Sequence, residues 1–389
     1  MTLYSIIDNI DSFFFFVLGL SVAYLFFFAV IALRKRQDEY PLAKKLHRFV
    51  VLFPAYKEDA VIENAIVSLL QQNYPKDKYD IIVISDRMQE ETNQRLERLP
   101  INVLKVNFEN STKAKALNFA IQNNKAETYD MVVIMDADNT VEPSFLQEIN
   151  NAYYSGALAI QTHRMAKNQN TTTAILDAVS EEINNSIFRK GQVRIGFSSA
   201  LIGSGMALDY KWFIKHINQI SSTGEDKELE AMLLKENIFI EYLEHVHVYD
   251  EKTQKDSVFY NQRRRWMASQ LNSLKNNIAN LPYALISGKL DYANKIIQWM
   301  MLPRIILLGF IPIFSLFVLP IDWMWAIKWW GLELVLIISL SLAVPDYLVT
   351  DQFKKAIWKA PKLFVLMTIN LFRLKGANKE FIHTEHGDK

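Results

Sequence analysis

Residues 12–33 read SFFFFVLGLSVAYLFFFAVIAL, without a charge, and about 20 apolar residues suffice to cross a hydrocarbon core. The stretch predicts a transmembrane helix. Asp8 and Asp11 precede it and Arg34, Lys35 and Arg36 follow, the reverse of a secretory signal, so the N-terminus is expected outside and the following chain in the cytoplasm. Two further apolar runs, 305–320 and 325–344, predict a hairpin joined by residues 321–324. Lys328 and Glu333 fall in the second run near Trp323, Trp325, Trp329 and Trp330, where long side chains can anchor by snorkelling into an aromatic belt. The shorter run 363–372 has Lys354, Lys355, Lys359 and Lys362 before it and Arg373, Lys375 and Lys379 after. Positive charge on both flanks predicts a helix lying on the cytoplasmic surface, as does the mixed aromatic and lysine pattern of 281–301.

Between Tyr40 and about Asn280 the pattern changes. Short β-rich runs at 49–56, 79–86, 101–107, 129–138 and 157–163 alternate with amphipathic stretches such as 61–72 and 113–123. Near-continuous Val/Ile runs between helices predict an α/β domain with a mostly parallel sheet covered on both faces. Such sheets bind ligands beyond the carboxyl ends of their strands. The residues closing these runs are Pro54, Ala55 and Tyr56 with Glu58, then Asp86, then Asp136 and Asp138.

Composition narrows the chemistry. With 43 Lys+Arg against 42 Asp+Glu the net charge is +1, so no global field argues for a nucleic-acid partner. The absence of cysteine removes thiol chemistry, Fe–S clusters and cysteine-based zinc sites. Neither Gly-x-Gly-x-x-Gly after the first strand nor a Gly-x-x-x-x-Gly-Lys-Ser/Thr loop occurs. Phosphate charge is then best met by Mg²⁺ or Mn²⁺ shared between carboxylates and a substrate diphosphate.

Asp136-Ala137-Asp138 ends a buried run, and residues two apart on an extended chain share a face. Alone, Asp-x-Asp more often marks a solvated acidic turn. Glu225 and Asp226, after Thr223-Gly224, open a helical pattern where the helix dipole by itself favours acids. Gln262, Arg265 and Trp266 fall at i, i+3 and i+4 on one helical face. Arginine binds diphosphate bidentately and tryptophan offers a platform for a sugar ring, although a basic helix at a membrane surface has the same look.

Asp86, Asp136-x-Asp138, Glu225-Asp226 and Gln262-x-x-Arg265-Trp266, framed by an N-terminal anchor and a C-terminal hairpin, together resemble the membrane-bound family-2 glycosyltransferases, including the synthases of cellulose, chitin and hyaluronan. The resemblance covers about residues 48–301. It implies a GT-A fold, a UDP-sugar donor and inversion at the anomeric carbon. By position, Ala55, Tyr56, Glu58 and Asp86 look like the nucleotide pocket, with Lys113 and Asn118 as its next element. Asp138 with Asp136 would hold the metal, Asp226 would be the general base beside Glu225, and Arg265 would stabilise the leaving diphosphate. Gln262 and Trp266 would position the acceptor, and Gly203-Ser204-Gly205 looks like the loop on the acceptor side. The tail 381–386 is similar in polarity to one that lies near the active site in some such synthases.

The chain departs from the pattern where its second strand ends Ser85-Asp86-Arg87 rather than in paired aspartates. Three spans are also few for a conducting pore. That implies a homo-oligomer, a polysaccharide-export partner or a lipid-linked acceptor in place of a glycan chain threaded through one protomer. The expected layout is an anchor at 1–39, a cytoplasmic GT-A domain at 40–280, interfacial helices at 281–304, a transmembrane hairpin at 305–345, and an interfacial helix with a tail at 346–389. The expected location is the inner membrane, among membrane lipid. The competing reading is a non-catalytic component that senses UDP-sugar within an export complex.

Overall fold

The computed structural model describes residues 3–35, 40–124, 129–220 and 222–374. Arg36, Lys375, Lys379 and the tail 381–386 lie outside them. After α1 (Leu3–Ala32) the chain alternates through β1 (Phe49–Tyr56), α2 (Ile62–Leu70), β2 (Tyr79–Asp86), α3 (Glu90–Leu96), β3 (Asn102–Val106) and α4 (Lys113–Asn123). Next come β4 (Met131–Ile134), β5 (Thr140–Val141), α5 (Phe145–Tyr154), β6 (Ala159–Ala166) and α6 (Thr172–Asn184), whose last turn runs on as a π-helical segment into α7 (Gly191–Val193). β7 (Met206–Asp209), α8 (Tyr210–His216), α9 (Glu225–Lys235) and β8 (Ile240–Asp250) complete the sheet. The rest is helical: α10 (Asp256–Asn277), α11 (Leu281–Ile286), α12 (Leu290–Met300), α13 (Arg304–Val318), α14 (Trp323–Ala343), α15 (Asp351–Ala356) and α16 (Ala360–Phe372).

The eight strands form one sheet in the order β3-β2-β1-β4-β7-β6-β8-β5. Its first half, β3-β2-β1-β4, is wholly parallel. β7 then runs antiparallel to both β4 and β6, and β8 returns parallel to β6. Alternation explains why these runs are strands buried on both faces: Val50, Leu52, Val132 and Ile134 enter one core, while Phe49, Val51, Met131 and Val133 enter the other. The runs at 49–56 and 79–86 coincide with β1 and β2. β4 stops at Ile134, however, so Asp136-Ala137-Asp138 occupies a turn, and the extended-chain argument for a shared face does not hold there.

A third core joins α1, α13 and α14 to α6 and the π-helical segment. α1 and α14 are each long and apolar enough to cross a membrane. α13 has 15 residues, roughly 22 Å at 1.5 Å per residue, and reaches membrane length only together with α12, against which it is bent by 55°. Lys328 does not snorkel freely. Its ammonium and Trp329 Nε1 (2.8 Å) both donate to the fully buried Asp11 of α1, because a buried acid needs a compensating cation on the neighbouring helix. Glu333 Oε2 is buried without a hydrogen-bond partner, unlike a side chain that has reached an interface.

Tyr24 of α1 fastens these helices to the sheet-bearing part. Its hydroxyl donates to Asn294 (2.8 Å) and accepts from Gln192 (3.0 Å) and Gln298 (3.0 Å). On the opposite face of α12, Tyr292, Ala293 and Ile296 pack into the same core as β1 and β4.

Candidate active site

Three loops at the carboxyl ends of β1, β2 and β4 open into one cavity of about 880 Å³. Ala55, Tyr56 and Glu58 come from the end of β1, Asp86 from β2, and Asp136 and Asp138 from the turn after β4. The backbone is unusual at this rim. Lys57 and Arg87, which directly follow β1 and β2, have φ of 56° and 53°, a conformation that non-glycine residues hold only where their surroundings enforce it. Here Lys57 N–H donates to the Asp86 carbonyl (3.2 Å). The Arg87 guanidinium donates to Asn107 (2.9 Å) and to the carbonyl of Phe108 (2.6 Å), bracing the loop before α4. Ser85, where the family pattern has a second acid, donates to Asn93 (2.6 Å) and faces the interior.

Lys113 opens α4, whose N-cap Thr112 accepts from Lys115 N–H. Its ammonium donates to Asp136 Oδ1 and to the Gly203 carbonyl (2.7 Å), and lies 3.8 Å from Glu225 Oε1. Burial works to lower its pKa, yet Asp136 and Glu225 outweigh that and hold it above the usual lysine range. Asn118, on the same helix, does not line the cavity; its side chain accepts from Gln122 (3.3 Å).

Glu225 and Asp226 form the first turn of α9. Burial, reinforced by Asp226 and opposed by Lys113, pushes the Glu225 carboxyl up to about 7. Asp226 Oδ1 accepts from Lys227 N–H (2.9 Å). Gly224 sets this turn against α10, since a Cβ there would overlap the Ser269 hydroxyl. α10 in turn presents Gln262, Arg265 and Trp266 to the cavity. Burial lowers the Arg265 pKa, opposed by Glu225, Asp136 and Asp226, so the guanidinium faces the same acids as Lys113. The Arg263 guanidinium sits 4.7 Å from the centroid of the Trp266 ring and covers one of its faces.

Of the loop Gly203-Ser204-Gly205, only Gly203 reaches the cavity. Ser204 is fully buried and donates to Asn139. Gly205, at φ 59°, lacks a side chain for a packing reason: a Cβ would collide with Thr162 and Val248 of β6 and β8. Close approach of a sugar does not explain either residue.

Among the described residues no three His, Cys, Asp or Glu side chains are grouped to hold a metal by themselves. Asp136 and Asp138 nonetheless have suitable chemistry. Asp136 keeps 40% of its side chain exposed at the cavity wall, and Asp138, two positions on, is fixed by the Glu251 N–H (2.7 Å). Mg²⁺ and Mn²⁺ take hard oxygen ligands and commonly draw the remainder from substrate phosphate and water.

Sequence reasoning missed a further set of charged residues that line the cavity: Arg164, Glu181, Arg189, Lys252 and Arg304. They stand on β6, α6, the π-helical segment, the loop after β8, and α13. No local spacing links them.

A model of the family described as "Glycosyltransferase like family 2" matches residues 47–269, more than half of the chain. The chain is also similar to the probable glycosyltransferase YdaM of Bacillus subtilis, 28% identical over 106 residues. That match covers 25% of this chain and only 24% of the relative. Among solved structures, the mannosyltransferase PcManGT from Pyrobaculum calidifontis, in complex with GDP-Man and Mn²⁺, aligns with TM-score 0.53 and 15% identity, covering 83% of this chain and 96% of that one. TarS 1–349 of S. aureus in complex with UDP-GlcNAc aligns with TM-score 0.41 and 15% identity over 85% and 90%. The fold is thus GT-A-like, and the chain belongs to glycosyltransferase family 2.

Proposed function

We propose that the protein is an inverting hexosyltransferase that moves a sugar from a UDP-linked donor to a polysaccharide or lipid-linked acceptor at the cytoplasmic face of the cell membrane. The observation that carries this reading is the convergence of Lys113, Asp136, Glu225, Asp226 and Arg265, from four separate elements, on one cavity. Asp226 stands at its wall with its side chain 17% exposed, placed to take the proton of an acceptor hydroxyl as that oxygen attacks the anomeric carbon. Direct displacement from the face opposite the leaving nucleotide inverts the carbon. Ala55, Tyr56, Glu58 and Asp86 line the part we assign to the nucleotide. Lys113 and Arg265 offer cationic partners for the diphosphate as its charge grows. Gln262 and the free face of Trp266 orient the acceptor.

A divalent ion held by Asp136 and Asp138 would neutralise charge on the departing diphosphate. α1 and α14 would span the bilayer, with α13 as the return segment and residues 40–280 in the cytoplasm, as the charge order around α1 favours.

The test is UDP release from UDP-sugars by purified protein with Mn²⁺. Asp226→Asn should lower turnover by about 10²–10⁴ while donor binding persists, and chelation with EDTA should abolish turnover reversibly. Unchanged turnover in the variant would remove the assigned base. Donor binding without turnover on any acceptor would favour a sensor.

A further inference from the structure

The cavity does not end at Arg265. It continues past α6 and α10 into a slot walled by Leu308 of α13, Leu340 of α14, Phe353 of α15 and Leu363 and Met367 of α16. One end thus carries carboxylates and Lys113, the other hydrocarbon. The same lining also includes buried charge. Glu181 accepts from Arg164 (2.8 Å) and Arg189 (3.0 Å), Asp250 pairs with Lys252 (2.8 Å), and Asp177 pairs with Arg263. Burial opposes ionisation of Glu181, yet Arg164, Arg189 and Lys252 hold it well below the usual carboxylate range. Each of these three acids has a cationic partner of its own.

Arg304 has none. Among the described residues no carboxylate lies within ion-pair distance of it; Nη2 donates to the Ser180 carbonyl (3.2 Å) and hydroxyl (3.3 Å), and Nη1 is buried without a partner. Arg263 Nε and Gln262 Oε1 are likewise buried and unpartnered. Arg164 Nε and Asp250 Oδ1, also buried without a hydrogen bond in this cavity, belong to residues that are ion-paired with each other, Asp250 also with Lys252. Arg304, Arg263 and Gln262 instead leave donors and an acceptor of the kind that remain when a ligand with both functions is missing. The donors belong to guanidinium groups, which suit phosphate, and the acceptor suits a hydroxyl.

We infer that the acceptor is a lipid whose headgroup carries a phosphate and a free hydroxyl, with the phosphate between Arg263 and Arg304, the hydroxyl toward Gln262 and Asp226, and the chains in the apolar part of the cavity lined by α13, α14, α15 and α16. This inference rests on the glycosyl-transfer reading above. A polysaccharide presents hydroxyls along its whole length, which the hydrocarbon slot cannot satisfy. A soluble phosphate would leave that slot uncovered. In the transfer, the lipid hydroxyl oxygen bonds to the anomeric carbon. The bond from that carbon to the nucleotide phosphate oxygen breaks, its electron pair leaving on the nucleoside diphosphate, and the hydroxyl proton passes to Asp226.

The test uses the full chain in detergent, with phosphatidylglycerol as probe and diacylglycerol and the water-soluble glycerophosphoglycerol headgroup as controls. Phosphatidylglycerol should bind at least tenfold more tightly than either control. Arg304→Gln should lose at least tenfold in that affinity, and Arg304→Lys should stay within threefold of wild type. Should Arg304→Gln fail to fold, Leu340→Trp, which fills the slot and leaves the charges, should produce the tenfold loss. Equal binding of diacylglycerol, equal binding of the bare headgroup, or wild-type affinity in Arg304→Gln or Leu340→Trp would overturn the site. Lipid products of incubation with UDP-sugars are read in parallel by mass spectrometry. Lost lipid selectivity with UDP release intact sinks the lipid acceptor alone, whereas selective lipid binding without any UDP release sinks the transfer reading itself.

Discussion

Lys113 Nζ donates a 2.7 Å hydrogen bond to the carbonyl oxygen of Gly203, 90 positions away in sequence. Through this contact the helix after β3 is tied to the loop before β7, and the ammonium is held between Asp136 and Glu225. The ammonium thus bridges acids contributed by two halves of the sheet, with Arg265 facing the same acids.

Replacing that cation tests its structural share. Lys113→Met removes the ammonium held between Asp136 and Glu225 and leaves Arg265 as the cation that faces them. Because Asp136 keeps 40% side-chain exposure, solvent offsets part of the cost, and a loss of about 1–3 kcal/mol is expected. Thermal melting checks this, and calorimetry should show weaker UDP-sugar binding in the same variant. A variant that melts and binds as wild type would show the ammonium to be dispensable.

Glu225 makes stability depend on pH. Its carboxyl is raised from 4.5 to about 7 by burial first and by Asp226, so the folded state binds more protons than the unfolded state between those values. Its stabilising contribution is present below about pH 4.5 and is lost as pH rises through about 7. Glu225→Gln should consequently gain apparent Tm relative to wild type at pH 8 and not at pH 5. A pH-independent difference between the two proteins would contradict this burial argument.

Gly224 is set by close approach. A methyl group there would overlap the Ser269 side chain, so Gly224→Ala should cost about 1–3 kcal/mol as overpacking and displace the acids of α9 from Arg265. Adding Ser269→Gly removes the obstructing hydroxyl and should recover part of both Tm and turnover. A double-mutant cycle without coupling between the two positions would refute the contact.

Asp11 and Lys328 bind α1 to α14. Asp11→Ala leaves the Lys328 ammonium and Trp329 Nε1 without their acceptor, and breaking one side of a buried pair costs about 3–5 kcal/mol. Lys328→Met combined with Asp11→Leu removes both charges and should melt closer to wild type than either single change. Melting of the detergent-solubilised protein decides between these outcomes.

Much of the site was legible because its residues close hydrophobic runs or fall at helical spacing. Asp86 and Asp136 follow buried Val/Ile stretches, and Gln262, Arg265 and Trp266 share one helical face; all of them line the cavity. Asn118, Ser204 and Gly205 match the family pattern by position in the sequence, yet they do not line the cavity. On a helix, five positions beyond Lys113 is well past one turn. In the loop, Gly205 answers to the packing of β6 and β8. Lys328 lies over the Phe15 and Trp325 rings, in the aromatic setting its neighbours imply, but its ion-pair partner Asp11 precedes it by 317 positions and leaves no local trace.

Periodicity and strand-end chemistry are local properties, so the sequence by itself determined that long apolar helices bracket an α/β domain with acids at the ends of its strands. Which acid meets which cation depends on contacts between distant segments. Only the tertiary structure could place Lys113 between Asp136 and Glu225, seat Gly224 against Ser269, and gather Arg263 and Arg304 where a polar cleft passes into hydrocarbon. Burial of charge is paid for pairwise, and pairs of this kind leave no period in the chain.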